Sequence, residues 1–459
     1  MNFLKTPQYN ALYKQTIPML IGLFTIMGSQ LVDSVFIGQL GPKPLAVIGF
    51  SMPIYQLIIG IQVGIGIATT ACISNALGAN NKLYAKVLGT LVIVMGTIAM
   101  LVLCTVLWQS QQQLFSFLGA QASLFQLLHN YWLPWLTSCW LGAMLYFGYS
   151  ICRSHGETII PGRVMVITSL LNVILDPLFM FTLNLGLPGA AWATCVSFII
   201  GSIIIFKAII AKAFLTKISG FNQSIKGIKA IIEFSIPATL SQFIPPISAM
   251  IATILIASYG DFAIGAWGLA NRIESISIIL ILALTMALPP MIGKLNGKND
   301  PRAIFRLVKL AISIIVSFQL VLTLVILITA NPVVNLLANQ SEVKGILMNY
   351  LWLVPISYGA LGVCMISVSA CNAMRLPKSA LMISILRLFG CYLPLIWIGS
   401  EFYGLIGVFI GATLGNFLSG MVGWSMFLRQ YSKLKEQHDT KRIIIPRSSM
   451  KTYMAWHNN

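Results

Sequence analysis

Long apolar runs alternate with short polar breaks along this chain. A membrane-crossing helix needs about 20 predominantly apolar residues at roughly 1.5 Å per residue. Runs of that kind occupy 12–38, 45–76, 84–110, 122–149, 159–182, 188–213, 231–258, 262–292, 302–330, 342–371, 378–400 and 403–429. Twelve spans are therefore predicted, several longer than a bilayer requires, so tilts or kinks are expected. Pro18, Pro53, Pro134, Pro177, Pro237, Pro245, Pro246, Pro289, Pro290, Pro355 and Pro394 lie inside them. Each frees a carbonyl that only a neighbouring helix or water can satisfy. The expected class is an all-α polytopic membrane protein.

Composition agrees. Of 459 residues, 57% are hydrophobic and 9% charged, against about 45–50% and about 25% in soluble domains. A soluble enzyme is excluded. The formal net charge of +18 would suggest nucleic-acid binding in a soluble chain, but here its distribution explains it. Lys43 and Lys344 lie on one side of the twelve spans, and Arg272 lies within a span. Every other Lys and Arg falls on the opposite side, which holds both termini. Cytoplasmic segments collect such residues, so both termini are placed in the cytoplasm, and no nucleic-acid partner is expected. The stretch after Arg429 reads as a basic, loosely ordered tail able to touch anionic lipid. The polar N-terminal stretch leads into a full-length span, so no cleavable signal is expected. The eight cysteines sit in or beside apolar runs without CxxC or His spacing, which fits packed hydrophobes and neither disulfides nor zinc. There is no GxxxxGK[ST], HExxH or GxSxG sequence, so ATP, a cofactor and enzymatic chemistry are not expected.

The chain is duplicated. A shift of 219 residues brings Ile17-Pro18 onto Ile236-Pro237, Gly41 onto Gly260, Gly49 onto Gly268, Gly78 onto Gly297 and Asn80 onto Asn299. Gly186-Leu187 and Gly189 match Gly404-Leu405 and Gly407 at a shift of 218. Each half holds six spans, an even number, so the repeats run parallel about an axis along the membrane normal. Transporters place substrate sites between such halves. The predicted organisation is an amino-terminal lobe at 1–213, a linker at 214–230, a carboxy-terminal lobe at 231–429 and the tail at 430–459.

Asp33, Asp176 and Glu274 are the acids within spans, and an intramembrane carboxylate is a functional candidate by default. Counted from the outer span ends, Asp33, Asp176 and Thr194 lie roughly 8–9 Å inside the boundary, with Tyr131 somewhat deeper. Asn172 precedes Asp176 by four residues and shares its helix face, and Pro177 frees the carbonyl of Val173. Applying the shift puts Ala252 opposite Asp33, Cys391 opposite Asn172 and Leu395 opposite Asp176. Packing needs act on both halves alike, so the asymmetry favours chemistry: two neighbouring carboxyls in low dielectric disfavour carrying both charges and suit a proton or a sodium ion. Arg272 and Glu274, two residues apart, do not face each other on a helix and are candidate charges for a cavity between the halves. The 20 methionines and the span-four aromatics are read mainly as packing and interface residues, with a minority suited to flat organic cations.

The stretches LVDSVFIGQLGPKPLAVIG, GIGIATTACISNALGANN and GETIIPGRVMVITSLLNVILDPLFMFTLNLGLPGAAWATCVS resemble the multidrug and toxic compound extrusion (MATE) family over about residues 10–430. The resemblance implies two pseudo-symmetric six-helix bundles forming a V-shaped cavity, in an antiporter that expels cationic organic compounds in exchange for H⁺ or Na⁺. It also implies a first-lobe coupling site at Asp33, Asn172, Asp176, Thr194 and Tyr131, holding H⁺ or Na⁺ and no other metal, with Pro18 as a bending point. In a second branch of the family the acids lie in the seventh and tenth spans, where this chain has Pro245 and Val363. A lipid or lipid-linked oligosaccharide flippase on the same scaffold is the alternative; the single embedded Arg272 gives little to hold a pyrophosphate. The expected partners are small organic cations and membrane lipid, and a monomer is expected.

Overall fold

Lipid offers no partner for an open backbone N–H or C=O, so apolar runs of this length must close their hydrogen bonds as helices. The computed structural model describes residues 7–117, 119, 122–217 and 221–444. In the first half lie α1 (Pro7–Gln39), α2 (Pro42–Gly78), α3 (Lys82–Gln109), the short α4 (Gln111–Phe117) and α5 (Ala122–Ser154). They are followed by α6 (Ile159–Pro177), which continues as a π turn over Leu178–Thr182, and by α7 (Leu187–Ala211). The second half contains α8 (Phe221–Ala257), α9 (Asp261–Ser277), α10 (Ile279–Gly297), α11 (Pro301–Leu337), α12 (Ser341–Leu353) and α13 (Tyr358–Ala373). It closes with α14 (Pro377–Ile385), a π segment at Leu386–Tyr392 and α15 (Leu393–Ile444).

Among the described residues, ten segments are long and apolar enough to cross a membrane. One of them, Pro377–Thr440, breaks at Tyr403 and Gly404 into two arms. With the 33-residue α5, twelve crossings result, in an all-helical polytopic fold. Spans eight and ten are each built from two pieces. At the α9–α10 break, the Gln319 amide donates to the Ser277 carbonyl at 2.9 Å. At the α12–α13 break, Thr323 donates to Pro355 O at 2.9 Å and Thr413 to Leu353 O at 3.1 Å. Side chains thus supply the partners that interrupted helices need in lipid.

The duplication is visible in the backbone. Gly41 and Gly260 have φ of 107° and 97°, and Asn80 and Asn299 have φ of 61° and 54°. These are left-handed conformations that Gly adopts freely and Asn at small cost. Asn81 caps α3 by accepting from Tyr84 N at 3.1 Å, and Asp300 caps α11 by accepting from Ala303 N at 2.9 Å. The two caps are again 219 residues apart.

The halves meet along α2 and α10. Gly78 lies against the Lys294 carbonyl and Gly297 against the Asn75 carbonyl, leaving no room for a Cβ at either glycine. Asn75 donates to Ala373 O at 3.0 Å and accepts from Asn296 at 2.6 Å. Lys294 Nζ reaches the His155 carbonyl at 2.8 Å.

Two expectations are corrected. Helix α8 begins at Phe221, so the segment before it is shorter than the predicted 214–230 linker. The tail is not loose from residue 430: α15 continues to Ile444. Tyr431 stacks on Phe305 with ring centroids 4.7 Å apart, and Arg302 pairs with Asp439 at 3.9 Å, so α11 supports this extension. Residues 445–459 of the tail lie outside the described residues.

Candidate functional site

Helix α1 packs along α6, and small residues set the distance. Gly22 lies against Met165 and Gly162 against the Pro18 carbonyl, so neither site admits a side chain without displacement. Pro18 sits in this contact, inside a helix that runs unbroken from Pro7 to Gln39. Further along the same pair, Asp33 of α1 comes within hydrogen-bonding reach of Asp176 of α6. Asp176 is the last residue before Pro177 and the π turn, a feature that π-bulges share at many functional sites.

Around the two acids the polar atoms are arranged for an acceptor-rich centre. Asn172 Nδ2 donates to Asp176 Oδ1 at 3.0 Å and to Thr194 Oγ1 at 3.2 Å. Thr194 donates to Ala190 O at 2.9 Å. Asp176 is 1% exposed. Asp33 Oδ1 and Asp176 Oδ2 are buried and without a hydrogen-bond partner among the described residues. Two carboxylates so close, each with an empty acceptor, form a site short of positive charge.

The structure therefore brings Asp33, Asn172, Asp176 and Thr194 together and leaves Tyr131 apart. Tyr131 stacks on Trp135 with centroids 6.1 Å apart, and its hydroxyl makes no hydrogen bond among the described residues. Its electrostatic neighbours are Cys139 and Tyr55. Arg272 is exposed and has no ion-pair or hydrogen-bond partner among the described residues. Glu274 turns the other way, toward the body of the second half, where Tyr350 Oη donates to its Oε2 at 2.8 Å.

The MatE family model matches residues 18–178 and again 237–398. The chain belongs to the MATE family. An FAD transporter of Shewanella oneidensis is 30% identical over 91% of this chain and 94% of its own length. The multidrug export protein MepA of Staphylococcus saprophyticus is 23% identical over 88% and 90%. Among solved structures, a Vibrio cholerae MATE transporter, VcmN, is 46% identical with a TM-score of 0.91, covering 92% of this chain and 97% of its own. The same transporter in its bent form gives a TM-score of 0.89. This MATE chain is thus a membrane-spanning transporter of a family that includes multidrug exporters.

Sequence reasoning missed a second polar centre in this transporter. Tyr350 Oη lies 3.1 Å from Tyr358 Oη, and Arg387 and Tyr392 are electrostatic neighbours of Glu274. Arg387 lies in the π segment, ten residues after Pro377. Trp267 and Phe409 close over Tyr350 edge-on, with centroids 6.0 and 5.5 Å away. The available signal was the repeat itself. Tyr55, Tyr131 and Cys139, shifted by 219, become Glu274, Tyr350 and Tyr358.

Proposed function

We propose that this transporter is a secondary antiporter that exports cationic, amphipathic compounds in exchange for H⁺ or Na⁺. Asp33, Asn172, Asp176 and Thr194 form its coupling site, which places the protein in the first-lobe-acid branch of the family. The observation that carries this reading is the pair of carboxyls from two helices, with Asp33 Oδ1 and Asp176 Oδ2 both buried and unpartnered. A buried charge without a partner is strongly unfavourable, so a cation completes the site. Taking up H⁺ or Na⁺ draws α1 toward α6, and losing it frees α1, with Pro18 as the point where the helix can yield. Residues 1–213 and 231–429 act as the two moving lobes.

The excess of Lys and Arg on one side orients both termini and the α2–α10 seam toward the cytoplasm of a bacterial inner membrane. The conformation described, closed at that seam, then faces outward. The protein works as a monomer surrounded by lipid and draws on an ion gradient. In proteoliposomes loaded with a fluorescent organic cation, Asp33→Asn and Asp176→Asn should each cut efflux at least about tenfold, roughly 1.4 kcal/mol. They should also abolish its dependence on an imposed pH or Na⁺ gradient. Normal rates with unchanged ion dependence in both variants would sink the reading.

A second reading concerns the cargo. The 30% identical relative is named an FAD transporter, and the exposed, unpartnered Arg272 suits an anionic dinucleotide. FAD added to the same vesicles should compete with the organic cation if it is exported through this route, and leave efflux untouched if it is not.

A further inference from the structure

We propose that Glu274 is a second proton-binding site of this transporter, seated in the carboxy-terminal lobe and held by the hydroxyl of Tyr350. Glu274 lies on the α9 face that carries Trp267, Ala270 and Ser277, all buried. Its Oε2 accepts the Tyr350 hydroxyl at 2.8 Å, and Tyr350 in turn meets Tyr358 at 3.1 Å. Among the described residues Oε1 makes no hydrogen bond, and it is not sealed from its surroundings, so it is open to receive a proton. The surrounding titratable and charged groups are Tyr350 from α12, Tyr358 from α13, and Arg387 and Tyr392 from the π segment. Arg387 is near but outside ion-pair contact among the described residues, and its Nε is buried without a partner. One phenol and a nearby guanidinium outside ion-pair contact hold the carboxylate's charge.

The occupant is a proton for two reasons. Among the described residues no group of three acid, His or Cys ligands exists for a metal ion, and Arg387 opposes a second positive charge. An organic cation would need space, yet Tyr350 and Tyr358 are 1% and 0% exposed and pack against each other's hydroxyls. A proton needs none. H⁺ arriving from water forms an O–H bond at Oε1, while Tyr350 keeps its own proton. Arg387 then loses its counter-charge, so the attraction between α9 and the π segment weakens. That segment abuts α14 and α15, and a π distortion beside each lobe's carboxyl fits a mobile functional site. The inference stands whether or not the Asp33–Asp176 pair carries the coupling ion.

The test is an infrared pH titration of the full-length protein in lipid nanodiscs. The difference between the native protein and Glu274→Gln isolates the signal of one carboxyl, and its midpoint is read with and without a saturating fluorescent organic cation. The signal should persist in the Asp33→Asn/Asp176→Asn background, and its midpoint should move when the cation binds. Tyr350→Phe keeps the ring packed on Trp267 and Phe409 but removes one hydrogen bond to the charged form. It should shift the midpoint upward by about one to two pH units, and it serves also if Glu274→Gln fails to fold. A midpoint indifferent to the organic cation, or unmoved by Tyr350→Phe, overturns the proposal. Loss of the signal in the Asp33→Asn/Asp176→Asn background overturns the site's independence and with it the proposal.

Discussion

Shifted by 219 residues, Asp33, Asn172 and Asp176 of the first lobe fall on Ala252, Cys391 and Leu395 of the second, while Tyr55, Tyr131 and Cys139 fall on Glu274, Tyr350 and Tyr358. The turns, caps and seam glycines repeat; the polar centres do not. In the first lobe a carboxyl pair lies between α1 and α6, and the phenol pocket around Tyr131 is neutral. In the second lobe the equivalent of the carboxyl pair is apolar, and the phenol pocket holds the acid. Duplication thus preserved what helices need in order to pack, and each copy acquired its charge at a different place. An aromatic ring at 131 and 350 belongs to the common scaffold, since Tyr131 stacks on Trp135 and Tyr350 packs on Trp267. A carboxyl is the added part.

The strongest way to break this comparison is to make one lobe copy the other. Asp176→Leu installs the residue that the second lobe carries at the equivalent position. Ion-coupled efflux should fall at least about tenfold, roughly 1.4 kcal/mol. Thermal unfolding should show a loss of no more than about 1–3 kcal/mol, the cost of taking the Asp176 acceptor from the Asn172 amide. A variant that unfolds early would show instead that the acids serve architecture.

The seam where the lobes agree offers the next largest effect. Asn75 joins them through Ala373 and Asn296. Asn75→Ala removes both contacts, worth about 1–3 kcal/mol together, or roughly five- to 150-fold in the ratio of parted to joined forms. Spin-label distances across the ends of α2 and α10 would report the shift. The glycine contacts should remain, so the seam should loosen without being abolished.

The architecture was legible because lipid allows apolar runs only one secondary structure, and because a period of 219 survives in Gly41, Asn80 and their partners. The first-lobe acids were legible because carboxyls are rare inside spans. Tyr131 was grouped with them on depth, but its helix is apolar on most sides and carries no sequence mark of which face turns where. Glu274 was noticed while its surroundings were not. Tyr350 and Tyr358 carry no sequence mark that sets them apart from other aromatics of span ten, and Arg387 counts with the cations of the cytoplasmic side although it stands nine residues inside span eleven. Contacts such as Glu274 to Tyr350, 76 residues apart, arise only from the fold. The breaks at Ser277 and Pro355 were similarly half-legible: Pro355 announces a fault in span ten, whereas the Gln319 side chain that repairs span eight is distant in sequence.

A smaller effect is expected at the turn after α5, which repeats after α13 with Met374 in place of its histidine. His155 stacks on Phe214 with centroids 3.9 Å apart, and its Nδ1 lies 3.0 Å from Ile151 O. Burial lowers its pKa below the ordinary value, with Lys294 and Lys86 pushing the same way and the Ile151 bond opposing. The folded protein therefore binds fewer protons than the unfolded chain between the two values. Stability is unaffected well above about pH 6.5 and declines as pH falls from there toward the folded pKa, by at most about 1.4 kcal/mol per unit. His155→Phe keeps a stacking ring and removes the titration. Its thermal midpoint should lose that acid decline, measured side by side with the native protein between pH 5 and 7.

The smallest expected change sharpens the contrast between the two phenols. Tyr131 Oη has no hydrogen-bond partner among the described residues, whereas Tyr350 Oη bonds both Glu274 and Tyr358. Tyr131→Phe deletes an oxygen that holds nothing and leaves the stack on Trp135 in place. Efflux and its pH profile should stay within about twofold of the native protein, roughly 0.4 kcal/mol. Tyr350→Phe, at the repeat-equivalent position, should move the profile. If Tyr131→Phe instead disables coupling as severely as Asp33→Asn, then Tyr131 must swing onto the acids in another conformation of the cycle. The separation of the two pockets would then belong to one state of the transporter and not to its design.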